Sequence, residues 1–549
     1  MNIKSVLVSK IQSMSSIGIT VAIIFLSISI SPSLLPRPYI LQGVLSGLLL
    51  YLGYMFGLIL TWLWGYFQLP VLVGKSRLMT RRAVFFICFL FLAVSLFYAN
   101  YWQDNLRELM GLPSLKNSLH VHMILIAFVI SMALLLLSFL IKGLLNKIKM
   151  RLKKVIPYRV ANSLSLVMVA FLIFIFTNDI IIRNLVNVLD NVYALADSHS
   201  DKGIASPTES FISGSAQSKI AWHTLGSAGQ TFVTGGTSKK QLTHYFGHET
   251  KQPLRVYAGL RSGDSTEERA KLVLDELIRV NGFDRSKLII ATPTGTGWLD
   301  PSAMDTLEYL HKGDNTIVSM QYSYLPSWLT LLVDPSSAKR SAAVLYQVIH
   351  QYWSKLPKNS RPDLYLFGLS LGAFGAETSI NLTTIIKNPI QGGLFAGAPF
   401  PSTLLPLLTK QRNKKSPQWL PVIQDSSLVR FTAQENKLRN NDWHWGPMRF
   451  VYIQYASDPI TFFSTDLYRK QPDWMKGERG HDVSPEFKWF PMITFFQVLF
   501  DLPMADKMPR GHSHNYSASS YIDGWLEVTS PENWGEKEIR RLKLRFSKQ

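Results

Sequence analysis

Five stretches of the chain, residues 17–35, 39–66, 83–101, 121–144 and 161–182, are apolar almost without interruption, and the charges lie between them. Crossing a bilayer takes about 20 consecutive apolar residues, so the pattern predicts five membrane-spanning helices. Charges confined to the connections make these runs hard to place in water as buried helices of a soluble domain. Beyond residue 190 the pattern changes. Residues 190–253 are polar and rich in Ser, Gly and Thr, as expected of a linker and an irregular lead-in, although 222–226 and 230–233 are apolar enough to pack on the C-terminal domain. From residue 254 short apolar runs alternate with helical patterns. Strands are expected at 254–258, 288–291, 316–320, 364–367, 392–396 and 450–455, with helices at 265–280, 338–353 and 517–526. This alternation predicts an α/β domain with a mostly parallel sheet covered by helices on both faces. The expected division is a transmembrane helical domain over 1–187, a lead-in over 188–245 and the α/β domain over 246–549.

Charge gives the helices a direction. Lys4 and Lys10 precede the first apolar segment, and Lys75, Arg77, Arg81 and Arg82 occupy the second connection. The fourth connection holds Lys142, Lys147, Lys149, Arg151, Lys153, Lys154 and Arg159. The intervening connections carry only Arg37 on one, and Arg107 and Lys116 on the other. The excess of Lys and Arg marks cytoplasmic connections, so five crossings leave everything after residue 186 outside. A cleaved signal peptide is the other reading of the first segment. Its apolar stretch is long for one, it lacks a small-x-small cleavage site, and its removal would not move the C-terminal domain. The net charge of +20 is thus read as a membrane feature, not as a nucleic-acid surface. A single cysteine, Cys88, excludes an intrachain disulfide and Cys-based metal or redox chemistry.

The candidate chemistry centres on Gly368-Leu369-Ser370-Leu371-Gly372, between an apolar run and a small-residue helix start. G-x-S-x-G between strand and helix is a nucleophile elbow: the serine sits in a strained turn, and the glycines let strand and helix approach without a Cβ clash. The other members of a Ser-Asp/Glu-His series should follow at later strand ends. Asp458, in Ala456-Ser457-Asp458-Pro459, is the candidate acid, with Asp466 and Asp482 behind it. The base is expected in Gly511-His512-Ser513-His514. His512 is preferred because a preceding Gly suits a tight loop, and His514 would then support it or touch substrate. A metal pair is a poor reading of two histidines without a partner cluster. The oxyanion hole needs two backbone donors. Leu371 N–H supplies one, and the loop carrying Gly295, Thr296 and Gly297 the other, with Gln321-Tyr322-Ser323-Tyr324 as the alternative. The remaining histidines, such as His350, read as structural or surface residues. The aromatics Trp443 and Trp445, and Trp474, Trp489, Phe490, Phe495 and Phe496, read mainly as packing, with a lid or acyl cleft as the minority reading.

These stretches, with Ala291-Thr292-Pro293-Thr294-Gly295-Thr296-Gly297-Trp298 and Gln321-Tyr322-Ser323-Tyr324-Leu325-Pro326-Ser327-Trp328, resemble a bacterial membrane-anchored α/β-hydrolase family with an N-terminal multi-helix domain. The resemblance spans nearly the whole chain. It implies a serine-hydrolase fold in a bacterial inner membrane and supplies no substrate.

The expected function is an integral membrane serine hydrolase or acyltransferase acting on an ester, lipid-linked esters included, on the extracytoplasmic face. Its mechanism asks for no metal or organic cofactor. A sensor or scaffold that uses the fold only to bind a ligand is the rival from another class. A transporter would carry ionisable residues within its spans, and here Asp179 near the end of the fifth is the exception.

Overall fold

The structure, a computed structural model, describes residues 15–115, 120–175, 183–198, 204–380, 382–440 and 442–547. It divides into two compact units. The first comprises Met1–Asn184, Ser464–Met475 and Val483–Met504, and the second Leu185–Phe463, Lys476–Asp482 and Ala505–Gln549. The break at Asn184 lies close to the boundary expected from the sequence. The return of two later segments to the first unit is not visible in the hydropathy pattern.

In the first unit α1 (Ser16–Ser29), α2 (Tyr39–Tyr66), α3 (Gly74–Leu109), α4 (His120–Leu152) and α5 (Tyr158–Ile175) follow one another. Among the described residues three of them, α2, α3 and α4, are long and apolar enough to cross a membrane, against the five expected. The first expected segment is helical only to Ser29. Pro32, Pro36 and Pro38 come next, each lacking a backbone donor and clashing with a continuing helix. The 14 residues of α1 rise about 21 Å, short of a hydrocarbon core of about 30 Å. Part of the fifth expected segment, 176–182, lies outside the described residues.

Glycines set the packing of α2. A Cβ on Gly57 would fall 2.6 Å from Gly18 Cα in α1, and one on Gly47 the same distance from the Ala127 carbonyl oxygen in α4. Gly43 and Gly47 thus serve α4, and Gly53 and Gly57 serve α1, each a small-x-x-x-small pair that lets two backbones meet. Outward positions such as Phe86, Phe97 and Val121 are exposed and apolar, as a lipid-facing surface requires.

In the second unit α6 (Arg183–Ser198), which starts across the division, is followed by α7 (Gly226–Thr234) and α8 (Lys239–Phe246). These give regular structure to part of the expected linker. Then come β1 (Leu254–Ala258), α9 (Thr266–Arg279), β2 (Lys287–Thr292), α10 (Pro301–Leu310), β3 (Asn315–Met320), α11 (Ser327–Val333), α12 (Pro335–Trp353), β4 (Asp363–Leu369), α13 (Leu371–Ser379), α14 (Leu382–Lys387), β5 (Gly392–Ala396), α15 (Leu404–Lys410), β6 (Val429–Thr432), β7 (Arg449–Ile453) and the single turn α16 (Pro459–Phe462). The seven strands form one sheet in the order β1-β3-β2-β4-β5-β7-β6, every pair parallel. Strands buried on both faces read as continuous Val, Ile, Leu and Phe runs, which is why most were legible. β6 was not expected. Arg430 interrupts its apolar run, yet is buried, its guanidinium over the Trp445 ring at 3.8 Å and donating to the Ser426 and Leu438 carbonyls.

Between the second and third visits of the chain to the second unit, α17 (Ile493–Asp501) packs in the first unit against α1 and α2. Phe490, Phe496 and Phe500 join Leu45, Leu49 and Phe25 in one apolar cluster, so these aromatics are core of the first unit. Asp501 is fully buried there. Arg37 Nε donates to its Oδ1 at 2.9 Å, Ser33 Oγ to the same oxygen and Leu34 N–H to Oδ2. α18 (Ala518–Thr529) and α19 (Glu536–Phe546) close the second unit.

Candidate active site

The elbow forms where β4 meets α13. Ser370 has φ 59° and ψ −127°, a backbone region that costs a residue other than glycine about 1–3 kcal/mol. The neighbouring glycines are sterically required. A Cβ on Gly368 would lie 2.3 Å from the Gly372 carbonyl carbon, and one on Gly372 would lie 2.2 Å from the Thr292 carbonyl oxygen. Ser370 N–H donates to Ala396 O at 2.9 Å, which ties the elbow to the end of β5. Leu371 is the first residue of α13, where the N–H has no partner within the helix.

Asp458 follows β7 and is wholly buried. As the cap of α16 its Oδ1 accepts Ile460 N–H, while Oδ2 accepts Thr461 Oγ1 at 3.2 Å and Tyr516 Oη at 2.7 Å. The remaining donor to Oδ2 is His514 Nδ1, at 2.7 Å. A carboxylate only accepts, so this bond places the proton of a neutral imidazole on Nδ1 and leaves Nε2 with a lone pair. Nε2 is buried and has no hydrogen-bond partner among the described residues.

The ring of His514 lies on Gly397, at φ 55°, where a Cβ would fall 2.6 Å from its Cε1. Gly397 is the residue after Ala396, the acceptor of Ser370 N–H. The end of β5 therefore contacts both the elbow and the imidazole.

His512, the base preferred from the sequence, is placed elsewhere. Its peptide bridges to Asn515, its Nδ1 has no hydrogen-bond partner among the described residues, and burial holds its pKa below the ordinary value. Physically, the loop turns at Ser513, whose φ is 54°, so residues two apart face different surroundings.

That loop is tied down from several directions. Ser513 N–H donates to Ser457 Oγ, and Ser457 Oγ donates to the buried Asp482 at 2.6 Å. His514 N–H donates to Ala505 O, and Asn515 Nδ2 to Met508 O. Arg510 reaches Ser302 Oγ at 2.5 Å and Asp300 at 3.6 Å. Asp482 thus supports the loop from below. Asp466 is exposed in the first unit and paired with Arg469.

Of the expected second oxyanion donors, Gly295 N–H is spent on Ser327 Oγ and Gly297 N–H on Thr294 O. Thr296 remains. Gln321 of the alternative loop is likewise engaged, its N–H on Ala258 O. His350 is held by Asn388 O and packs between Tyr346 and Trp353. Trp445 donates to Glu527. Sequence reasoning missed Tyr516, Ser457 and Gly397, whose roles depend on contacts across 58, 56 and 117 residues that no local pattern encodes.

Comparison with protein families gives two adjoining matches. A model described as the alpha/beta-hydrolase family covers residues 254–542, and one described as the alpha/beta-hydrolase family N-terminus covers residues 30–236. Comparisons with curated proteins and with solved structures return no match.

Proposed function

The chain belongs to the alpha/beta-hydrolase family, and from that premise we propose that it is a membrane-embedded serine hydrolase that forms an acyl-enzyme on Ser370. The observation that carries the reading is the Asp458–His514 bond, at 2.7 Å, with the imidazole lying on the glycine next to the acceptor of Ser370 N–H. In this mechanism His514 Nε2 takes the Ser370 Oγ proton as the oxygen attacks an ester carbonyl. Asp458 keeps the proton on Nδ1 and stabilises the imidazolium that forms. Leu371 N–H, with Thr296 N–H as its proposed companion, meets the developing oxyanion. His514 then protonates the leaving alkoxide. Water, activated by the same nitrogen, releases the acid. An acceptor alcohol in place of water makes the enzyme an acyltransferase.

The site is proposed to face the extracytoplasmic side of the bacterial inner membrane. The basic second and fourth connections support that orientation. So does the pairing of Arg37, the one basic residue of the first connection, with Asp501. A bilayer location favours lipid or lipid-linked esters as substrates. The test is labelling of purified protein and intact cells with a fluorophosphonate probe, wild type against Ser370→Ala. Labelling lost in the variant supports the reading, and an impermeant probe applied to spheroplasts reads the orientation. A folded wild-type protein that does not label overturns it in favour of a binding scaffold.

A further inference from the structure

A cavity of about 620 Å³ lies in the second unit between α13, α14 and α15 and the strands β5, β6 and β7. Its volume is that of a small-molecule site. Phe395, Phe450 and Tyr452 form the sheet side, and Leu404, Leu407 and Leu408 the helix side. The lining holds few polar groups, and one of them, Glu377 Oε1, is buried with no hydrogen-bond partner among the described residues. Thr378 Oγ1 donates back to its own helix, and Glu377 accepts Tyr452 Oη at 2.9 Å. Burial raises the Glu377 pKa, which favours a neutral carboxyl in the wall. The interior is therefore apolar but for the Glu377 carboxyl and the Thr378 and Thr403 hydroxyls, and its lining includes no basic group.

The mouth has the opposite character. Leu407 is 56% exposed and Leu428 46%, and Ile386, beside the lining residue Ile385, is 73% exposed. Such a cluster of exposed aliphatics is costly in water unless something covers it. Exposed lysines end the two helices that carry it, Lys387 on α14 and Lys410 on α15, with Lys414 and Lys415 just beyond. An apolar interior, with exposed lysines at the ends of two of the helices that line it, matches an amphiphile with a single hydrocarbon chain and an anionic head.

We infer that this cavity binds a long-chain fatty acid, the chain inserted between α15 and the sheet and the carboxylate held at the mouth by Lys387 and Lys410. The site is distinct from the elbow. Glu377 and Thr378 lie seven and eight residues beyond Ser370, about 10 Å along α13. The inference does not require Ser370 to be catalytic. If it is, the bound acid has the chemistry of the product released from a lipid ester.

The experiment uses the full chain in lipid nanodiscs, irradiated with diazirine-tagged palmitic acid and mapped by peptide mass spectrometry. Crosslinks are expected on 404–408 and 448–452, competed by unlabelled palmitate. Leu408→Trp, which fills the cavity, should lower their yield about tenfold. Lys387→Glu with Lys410→Glu should lower it about fivefold, since exposed ion pairs are individually weak. Crosslinks confined to other segments, or a yield unchanged in Leu408→Trp, would overturn the site. Equal labelling by diazirine-tagged hexadecanol, insensitive to the lysine changes, would overturn the fatty acid as its ligand. Thermal unfolding of each variant reads its folding, so the outcome stands whatever the serine does.

Discussion

At the scale of single residues, the two histidines of the 510–516 loop separate what composition offers from what conformation selects. Both have the chemistry of a general base, but only His514 reaches Asp458. With a p-nitrophenyl ester as substrate, Asp458→Asn should lower kcat roughly 10³–10⁴-fold through loss of the required tautomer. His514→Ala should do the same, whereas His512→Ala should stay within about tenfold of wild type. Equal losses at both histidines would return the base to an open question. His311 gives a pH prediction. It is half-buried with Nε2 on Thr529 Oγ1, and desolvation of the ring lowers its pKa to about 3 from 6.5. The unfolded chain therefore binds a proton that the folded chain refuses. This group's contribution to stability is intact above pH 6.5 and declines as pH falls from there towards 3. Chemical denaturation between pH 7 and 4 should show a shallower loss for His311→Gln than for wild type.

At the scale of elements, the elbow is a packing problem before it is a catalytic one. Gly372 touches the end of β2 because α13 must leave the sheet at once for Ser370 to stand at the strand end. Gly372→Ala inserts a methyl group 2.2 Å from the Thr292 carbonyl oxygen and should cost about 1–3 kcal/mol or more. A thermal unfolding midpoint equal to wild type would show that the approach is looser than it looks. The strands were legible because burial on both faces of a parallel sheet imposes apolar runs. β6 was not, because a buried arginine stacked on Trp445 occupies a position that the pattern assigns to solvent. α1 was overextended for a related reason: hydropathy counts Pro32 and Pro36 as mild interruptions, while the backbone treats them as stops.

At the scale of the whole molecule, the chain between Asp458 and His514 passes twice into the first unit. Phe463 and Ala505 mark the outer ends of that passage. The buried pair Arg37–Asp501 fastens α17 there. Arg37→Ala leaves a carboxylate buried without its partner and should destabilise the first unit by about 3–5 kcal/mol. Arg37→Met with Asp501→Met should recover most of that loss. Thermal unfolding in detergent measures both, and a double variant no better than the single would refute the account.

The sequence by itself determined the class of the molecule. Apolar runs of membrane length, the period of alternation after residue 254, and G-x-S-x-G at a strand end are all local consequences of burial and backbone geometry, so they can be read locally. Tertiary structure decided which histidine bonds Asp458, which loop amides are spent on other acceptors, and that 464–475 and 483–504 belong with the helices of the first unit. Each of these depends on contacts between residues tens to hundreds of positions apart, and no local pattern records the partner.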